Sequence, residues 1–185
     1  MPNNPSCFLF YYRTNIRMMK NLLKLFIAAM LITATVSCSD DNDIDKAKEK
    51  AIEKASKSFD GMAVETTKEK DDGVWVIKVW MLNSKEASVL FEYLEDDISL
   101  LEVSGKKGPF DYNVIHDNGL IDFLHAKETA VNETGNSMEN DNIEEWSLDQ
   151  DDDFGKKWVY EFDFDHPDKD VYIDAKTGEV IGSDD

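Results

Sequence analysis

The chain has 185 residues, room for one domain or two small ones, and 42% of them are apolar, which is enough for a packed core and excludes global disorder. Its 20 basic residues face 39 acidic ones, a formal charge of -19. A surface that acidic repels phosphate backbones, so no nucleic-acid partner is expected; the charge serves either solubility or an acidic binding site.

Residues 1–37 read as a signal peptide. They carry Arg13, Arg17, Lys20 and Lys24 and no acid, so removing these four bases leaves 16 against 39 acids, a net of -23. The basic part precedes an apolar run from Leu25 to Val36. That run is shorter than the roughly 20 residues that a spanning helix needs. It ends in Thr35-Val36-Ser37-Cys38, and a small residue before Cys resembles the lipobox of bacterial lipoproteins, in which the Cys carries the lipid. Thr35 stands where Leu is commonest in that motif, and an ordinary signal peptide with a chance Cys is the alternative. Residues 1–17 precede the basic segment, and translation from Met18 or Met19 would begin it directly. Cys7 falls in the leader, so Cys38 has no intrachain disulfide partner after processing.

Residues 38–42 form an acidic tether. Ser39-Asp40-Asp41-Asn42-Asp43 resembles the acidic export signal of some outer-membrane lipoproteins; a solvated spacer is the alternative. The resemblance implies an outer-membrane lipoprotein on the periplasmic or cell-surface side, held to the membrane through Cys38. Asp41, Asp43 and Asp45 mimic the start of an EF-hand loop, but Lys46 replaces the required Gly and Ile52 the closing Glu, which excludes calcium here.

Two helices follow from the periodicity. In the first, Ile44, Ala47, Ala51, Ile52, Ala55 and Phe59 share an arc of about 140°. The segment from Asp43 to Ile52 aligns with Asp122 to Val131, sharing Ala-Lys-Glu and an N-capping Asp. Gly61 and Gly135 are the predicted C-terminal stops. Lys48 and Lys127 intrude on the apolar faces, and the spacing predicts stems that pack while the ammonium groups reach water.

Each helix is followed by predicted strands: 62–67, 74–82, 88–93 and 98–103 in the first half, and 142–148, 157–165, 170–175 and 180 onward in the second. The fold class is thus α+β: two tandem repeats, 43–105 and 119–185, each one helix on a three- or four-stranded antiparallel sheet. Residues 106–118 link them, with Phe110 to Val114 read as an edge strand or linker. Alternation buries Trp158, Tyr160, Phe162 and Phe164 under the second helix and Trp75, Ile77, Val79 and Met81 under the first. The outward set Val74, Val76, Lys78 and Trp80, with Leu90 on the next strand, is unusually apolar. Either a partner covers it, with Val76, Trp80 and Leu90 as candidate contacts, or the two copies pack on each other there, or segment 108–118 does so.

No catalytic chemistry is legible. His116, His125 and His166 lack zinc spacing, and no nucleophile–base motif or phosphate loop is present, so no catalytic residue, metal or cofactor is assigned. Asp163, Asp165, Asp168 and Asp170 around His166-Pro167 read as a solvated hairpin connection rather than a cation site.

Val171 to Gly182 reads as a tight hairpin around Ala175-Lys176-Thr177-Gly178. Its Asp-Ala-x-Thr-Gly-Glu-Val pattern resembles the closing hairpin of the PepSY family, and the resemblance extends over about 43–182. The first half closes with Leu94-Glu95-Asp96-Asp97, without the Thr-Gly. PepSY units occur in propeptides of secreted metallopeptidases and in stand-alone envelope proteins, and related paired repeats inhibit secreted enzymes through an open sheet face. The resemblance implies a non-catalytic, lipid-anchored binding protein of the cell envelope, inhibiting or modulating a secreted or surface peptidase. An accessory lipoprotein that binds a glycan or other envelope proteins is the alternative.

Overall fold

The computed structural model describes residues 41–106, 108–116, 118–139 and 141–184. The leader and Cys38 lie outside them. Residues 42–185 form one compact unit. Its elements are α1 (Asp41–Ser58), β1 (Met62–Asp71), β2 (Val74–Leu82), β3 (Ser88–Leu94), β4 (Leu100–Gly105), α2 (Phe123–Thr134), β5 (Ile143–Asp151), β6 (Lys157–Phe164), β7 (Lys169–Asp174) and β8 (Val180–Asp184). Among the described residues the architecture is α+β: two helices and one antiparallel sheet with strands in sequence order β1 to β8.

The continuous sheet is the main departure from expectation. The sequence suggested two separate sheets; instead β4 pairs with β5 through Val103–Leu148, Ser104–Ser147 and Gly105–Trp146. The edges of two four-stranded meanders thus satisfy each other's backbone groups, which removes two exposed strand edges. The halves meet edge to edge and not face to face.

Both helices contribute to one apolar cluster on a single side of the sheet. Ala51, Ala55 and Phe59 of α1 join Phe123, Ala126, Ala130 and Val131 of α2, with Ile77, Val79, Met81, Phe91, Trp146, Tyr160, Phe162 and Phe164 from the strands. Alanines on the helix faces let the helices lie close, and the aromatic strand residues fill the volume. The predicted N-cap holds: the Asp122 carboxylate accepts from the His125 amide at 2.9 Å. Gly135 closes α2 in the left-handed region at φ 75°. Gly61 does not play that part. The first helix ends at Ser58, and a Cβ on Gly61 would lie 2.8 Å from the Leu82 carbonyl, so close backbone approach requires glycine there.

Segment 108–118 forms no strand among its described residues, nor does it cover the outward face. Phe110, Tyr112 and Val114 alternate into the core. The Tyr112 ring stacks 5.2 Å from Phe123, meets Phe59 edge-on at 5.3 Å, and its hydroxyl accepts from Trp146 Nε1 at 2.9 Å. The Ile115 amide donates to the Ser58 carbonyl and the Phe123 amide to the Val114 carbonyl, which ties the segment to both helices.

Lys127 also departs from expectation. Its ammonium does not reach water: it is buried, donates to the Phe110 carbonyl at 2.9 Å and pairs with Asp141. A buried ammonium needs such partners, and here they hold segment 108–118 against α2.

Gly105 ends β4 beneath this cluster, and a Cβ there would overlap the Trp146 indole nitrogen and the Tyr112 hydroxyl. Gly105→Ala should therefore destabilise the protein by about 2 kcal/mol through overpacking and loss of the Trp146–Tyr112 bond. Urea unfolding checks this as a lower midpoint with an unchanged slope.

Candidate functional site

The side of the sheet away from the helices is the candidate site. In an antiparallel sheet, directly paired residues share a face. The registers therefore trace one row over all eight strands: Glu65, Trp80, Leu90, Ser104, Ser147, Glu161, Tyr172 and Gly182. The β4–β5 seam brings two residues singled out in the sequence, Trp80 and Leu90, into line with four from the second half that were not, Ser147, Glu161, Tyr172 and Gly182. Only strand register reveals this row, and the pairing of β4 with β5 was invisible locally.

The three candidate contacts are placed on the expected face, but their exposure differs. Val76 is 1% exposed and Leu90 7%, while Trp80 is half-buried. Val76 and Leu90 stand outside the helix-side core cluster, so they are buried by this face itself. Trp80 is the member of the three with surface to offer. Trp75, predicted to be buried, is 47% exposed. It sits beside the β1–β2 turn, opposite Lys70, and the Lys68 ammonium lies 4.6 Å over its ring.

The face becomes acidic towards the second half. On one side of the central row, Glu145, Asp163, Asp170 and Asp184 are directly opposed on β5 to β8. On the other side, Glu92 opposes Glu102. Like charges in direct cross-strand positions are destabilising. Burial pushes the Asp163 carboxyl up from its ordinary value, with Glu145 adding to it, and does the same at Asp170, beside Asp163 and Asp184. Burial also raises Glu161, reinforced by Asp170. The Tyr172 hydroxyl is pushed up to about 12 by burial and by Glu161.

The first half of the face is partly neutralised. Lys78 bridges Glu69 at 2.6 Å and Glu92 at 3.0 Å, and the Glu69 bond leads in raising its ammonium above the ordinary range. Glu92 is nevertheless raised, because its burial outweighs the Lys78 bond and Glu102 adds repulsion.

Two concavities lie at the seam. A groove of about 350 Å³ is floored by Ser104 and Ser147 and walled by Glu102, Glu145, Glu161, Asp163 and Asp170. A wider cleft of about 830 Å³ includes Leu100, Glu102, Asp149, Gln150, His116 and Trp158, near where β4 and β5 stop pairing. Among the described residues, no group of three or more His, Cys, Asp or Glu is arranged to hold a metal ion. Asp165 to Asp168 form the β6–β7 connection, while Asp163 and Asp170 face each other on the strands.

The closing hairpin shows why its motif has that composition. The Asp174 carboxylate accepts from the Lys176 amide at 2.9 Å, the Thr177 amide at 3.2 Å and Lys157 Nζ at 2.9 Å. The Lys157 bond leads in holding Asp174 below the ordinary carboxylate range. Gly178 takes φ 75°, and its amide donates to the Asp174 carbonyl at 2.8 Å. Ala175 is fully buried.

Residues 125–184 match the family model of the PepSY domain, described as peptidase propeptide and YPEB domain. The match takes in nearly all of α2 and strands β5 to β8. No curated protein matches the chain. Among solved structures, a "putative lipoprotein" from Clostridium difficile 630 is similar, at 20% identity over 83% of this chain and 97% of that one, with a TM-score of 0.33.

A carboxyl whose folded-state value is raised favours folding most below its unfolded value, about 4, and that contribution is lost as pH rises through the folded value. Asp174 runs the other way, and its contribution is lost only as pH falls through its lowered value. The protein should therefore melt higher at pH 5 than at pH 7. The pair Asp163→Asn and Asp170→Asn should raise the melting point at pH 7 and narrow that difference, which calorimetry at the two pH values measures.

Proposed function

We propose that this chain is a non-catalytic, lipid-anchored binding protein of the bacterial cell envelope that captures a protein partner on the open face of its sheet. A secreted or surface peptidase is the partner class that the PepSY match supports. The observation that carries the reading is the row from Glu65 to Gly182, which crosses eight strands on the side opposite both helices. A sheet with one face on the core and one face free offers a broad, rigid platform whose backbone groups are already paired. Binding through such a face needs only side chains, and no catalytic group.

The platform is read as two copies of one unit. The elements run helix and four strands, then helix and four strands. Trp75 and Trp158 hold corresponding places beside the first turn of each half. In this reading Cys38 bears the lipid, and the acidic residues after it support an outer-membrane address on the periplasmic or cell-surface side. Among the described residues, no helix is long and apolar enough to cross a membrane. A partner bound here is then held near the membrane by the tether, at a raised effective concentration.

A photocrosslinking residue in place of Trp80 should capture an envelope peptidase in intact cells, and one in place of Leu124, on the exposed surface of α2, should not. Capture that is equal from both positions, or absent from Trp80, contradicts the assignment of the face. A captured glycan would replace the peptidase with the second partner class.

A further inference from the structure

The groove at the seam carries two anomalies that the platform alone does not need. Ser104 is 4% exposed, lies on the groove floor, and its Oγ is the buried side-chain polar atom without a hydrogen-bond partner among the described residues. A buried hydroxyl of this kind loses its water without replacement, and native structures rarely leave one so unless another molecule satisfies it. The walls hold Glu102, Glu145, Glu161, Asp163 and Asp170, of which Glu145, Asp163 and Asp170 are opposed directly across adjacent strands. Lys106 is the base on the lining, and it is exposed at the margin. Repulsion that a sheet normally avoids is here concentrated around an unpartnered hydroxyl.

We infer that this groove receives the basic side chains of an extended, lysine- or arginine-bearing segment of the partner protein, with Ser104 Oγ accepting from one of them. The inference rests on the reading of the open face as the partner-binding surface and names the chemistry of what binds there. An ammonium or guanidinium supplies the donors that carboxylates and a serine oxygen both accept. A bound cation also cancels the repulsion between the walls. The carboxyls of Asp163, Asp170 and Glu161, raised by burial and by neighbouring carboxylates, are each returned towards ionisation by it. A polypeptide fits better than a small polyamine because the row continues from the groove past buried Leu90 to half-buried Trp80, which offers an apolar surface to the flanking residues. A metal ion is disfavoured by the arrangement of the acids.

The test uses the purified protein and a labelled ten-residue peptide alternating Lys and Thr, with a Glu–Thr peptide as control, followed by fluorescence anisotropy. The Lys peptide should bind, and weaken steeply as salt is raised. Asp163→Asn with Asp170→Asn should weaken it about tenfold while the fold becomes more stable. Ser104→Ala should weaken it about threefold with the melting point unchanged or higher. A purely structural role for these residues predicts lower stability and unchanged binding, which overturns the inference. Equal binding of the Glu peptide, or full displacement by spermine at matched charge, also overturns it. If the crosslinker at Trp80 captures its peptidase while the Lys peptide fails to bind, the groove inference falls alone. If Trp80 captures nothing, the reading of the face falls first.

Discussion

Three residue pairs between β4 and β5 determine what the rest of the molecule can be. Val103–Leu148, Ser104–Ser147 and Gly105–Trp146 join two four-stranded meanders into one surface. Because the join is made through backbone hydrogen bonds, it fixes which side of each half faces which way. A slip of one residue would turn every side chain of one half over. With the register as it stands, both helices and segment 108–118 share a single core, and the opposite side is left whole. The packing beneath the seam explains why it is so tightly defined. Trp146 and Tyr112 crowd against Gly105, leaving no room for a side chain, and Phe123 packs on both of their rings.

The two halves of the open face differ in electrostatics. In the first, Lys78 sits between Glu69 and Glu92, and apolar Trp80 and Leu90 stand between Glu65 and Ser104 in the central row. In the second, Lys157 is engaged with Asp174 in the closing hairpin, which leaves the carboxylates of β5 to β8 facing one another. The fold tolerates this because the aromatic core on the other side is extensive and because the carboxyls shift towards their neutral forms. Groups that oppose folding where they stand are concentrated where a partner is proposed to bind. That is the pattern expected when binding, and not stability, determines which residues are kept.

Local features were well marked in the sequence. Period-two alternation gave β2 its bounds and the buried face of β6, because an amphipathic strand writes its environment into its own residues. The cap at Asp122, the stop at Gly135 and the turn at Gly178 each depend on one residue's own conformational preference or side-chain bond. What failed to show depended on residues far apart in the chain. Nothing in Val103-Ser104-Gly105 points to Trp146-Ser147-Leu148, so the single sheet, the eight-membered row and the groove were all hidden. The Lys127–Asp141 pair was hidden for the same reason. Trp75 misled because alternation gives a residue's side but not how far the covering helix extends over it. The second half also matches the PepSY family through its own residues, while the first half was linked to it through shared pattern alone.

A further consequence follows from strands that succeed one another as neighbours. Every pairing but one joins consecutive strands through a short turn, so most of the sheet can zip up hairpin by hairpin at small entropic cost. The exception is the seam, whose two edges are separated by the whole of 106–142, including the second helix. Until that segment has packed, the chain carries two unpaired borders of complementary register. Those borders are the places where one molecule could pair with another, so domain exchange between copies is the characteristic assembly error of this topology.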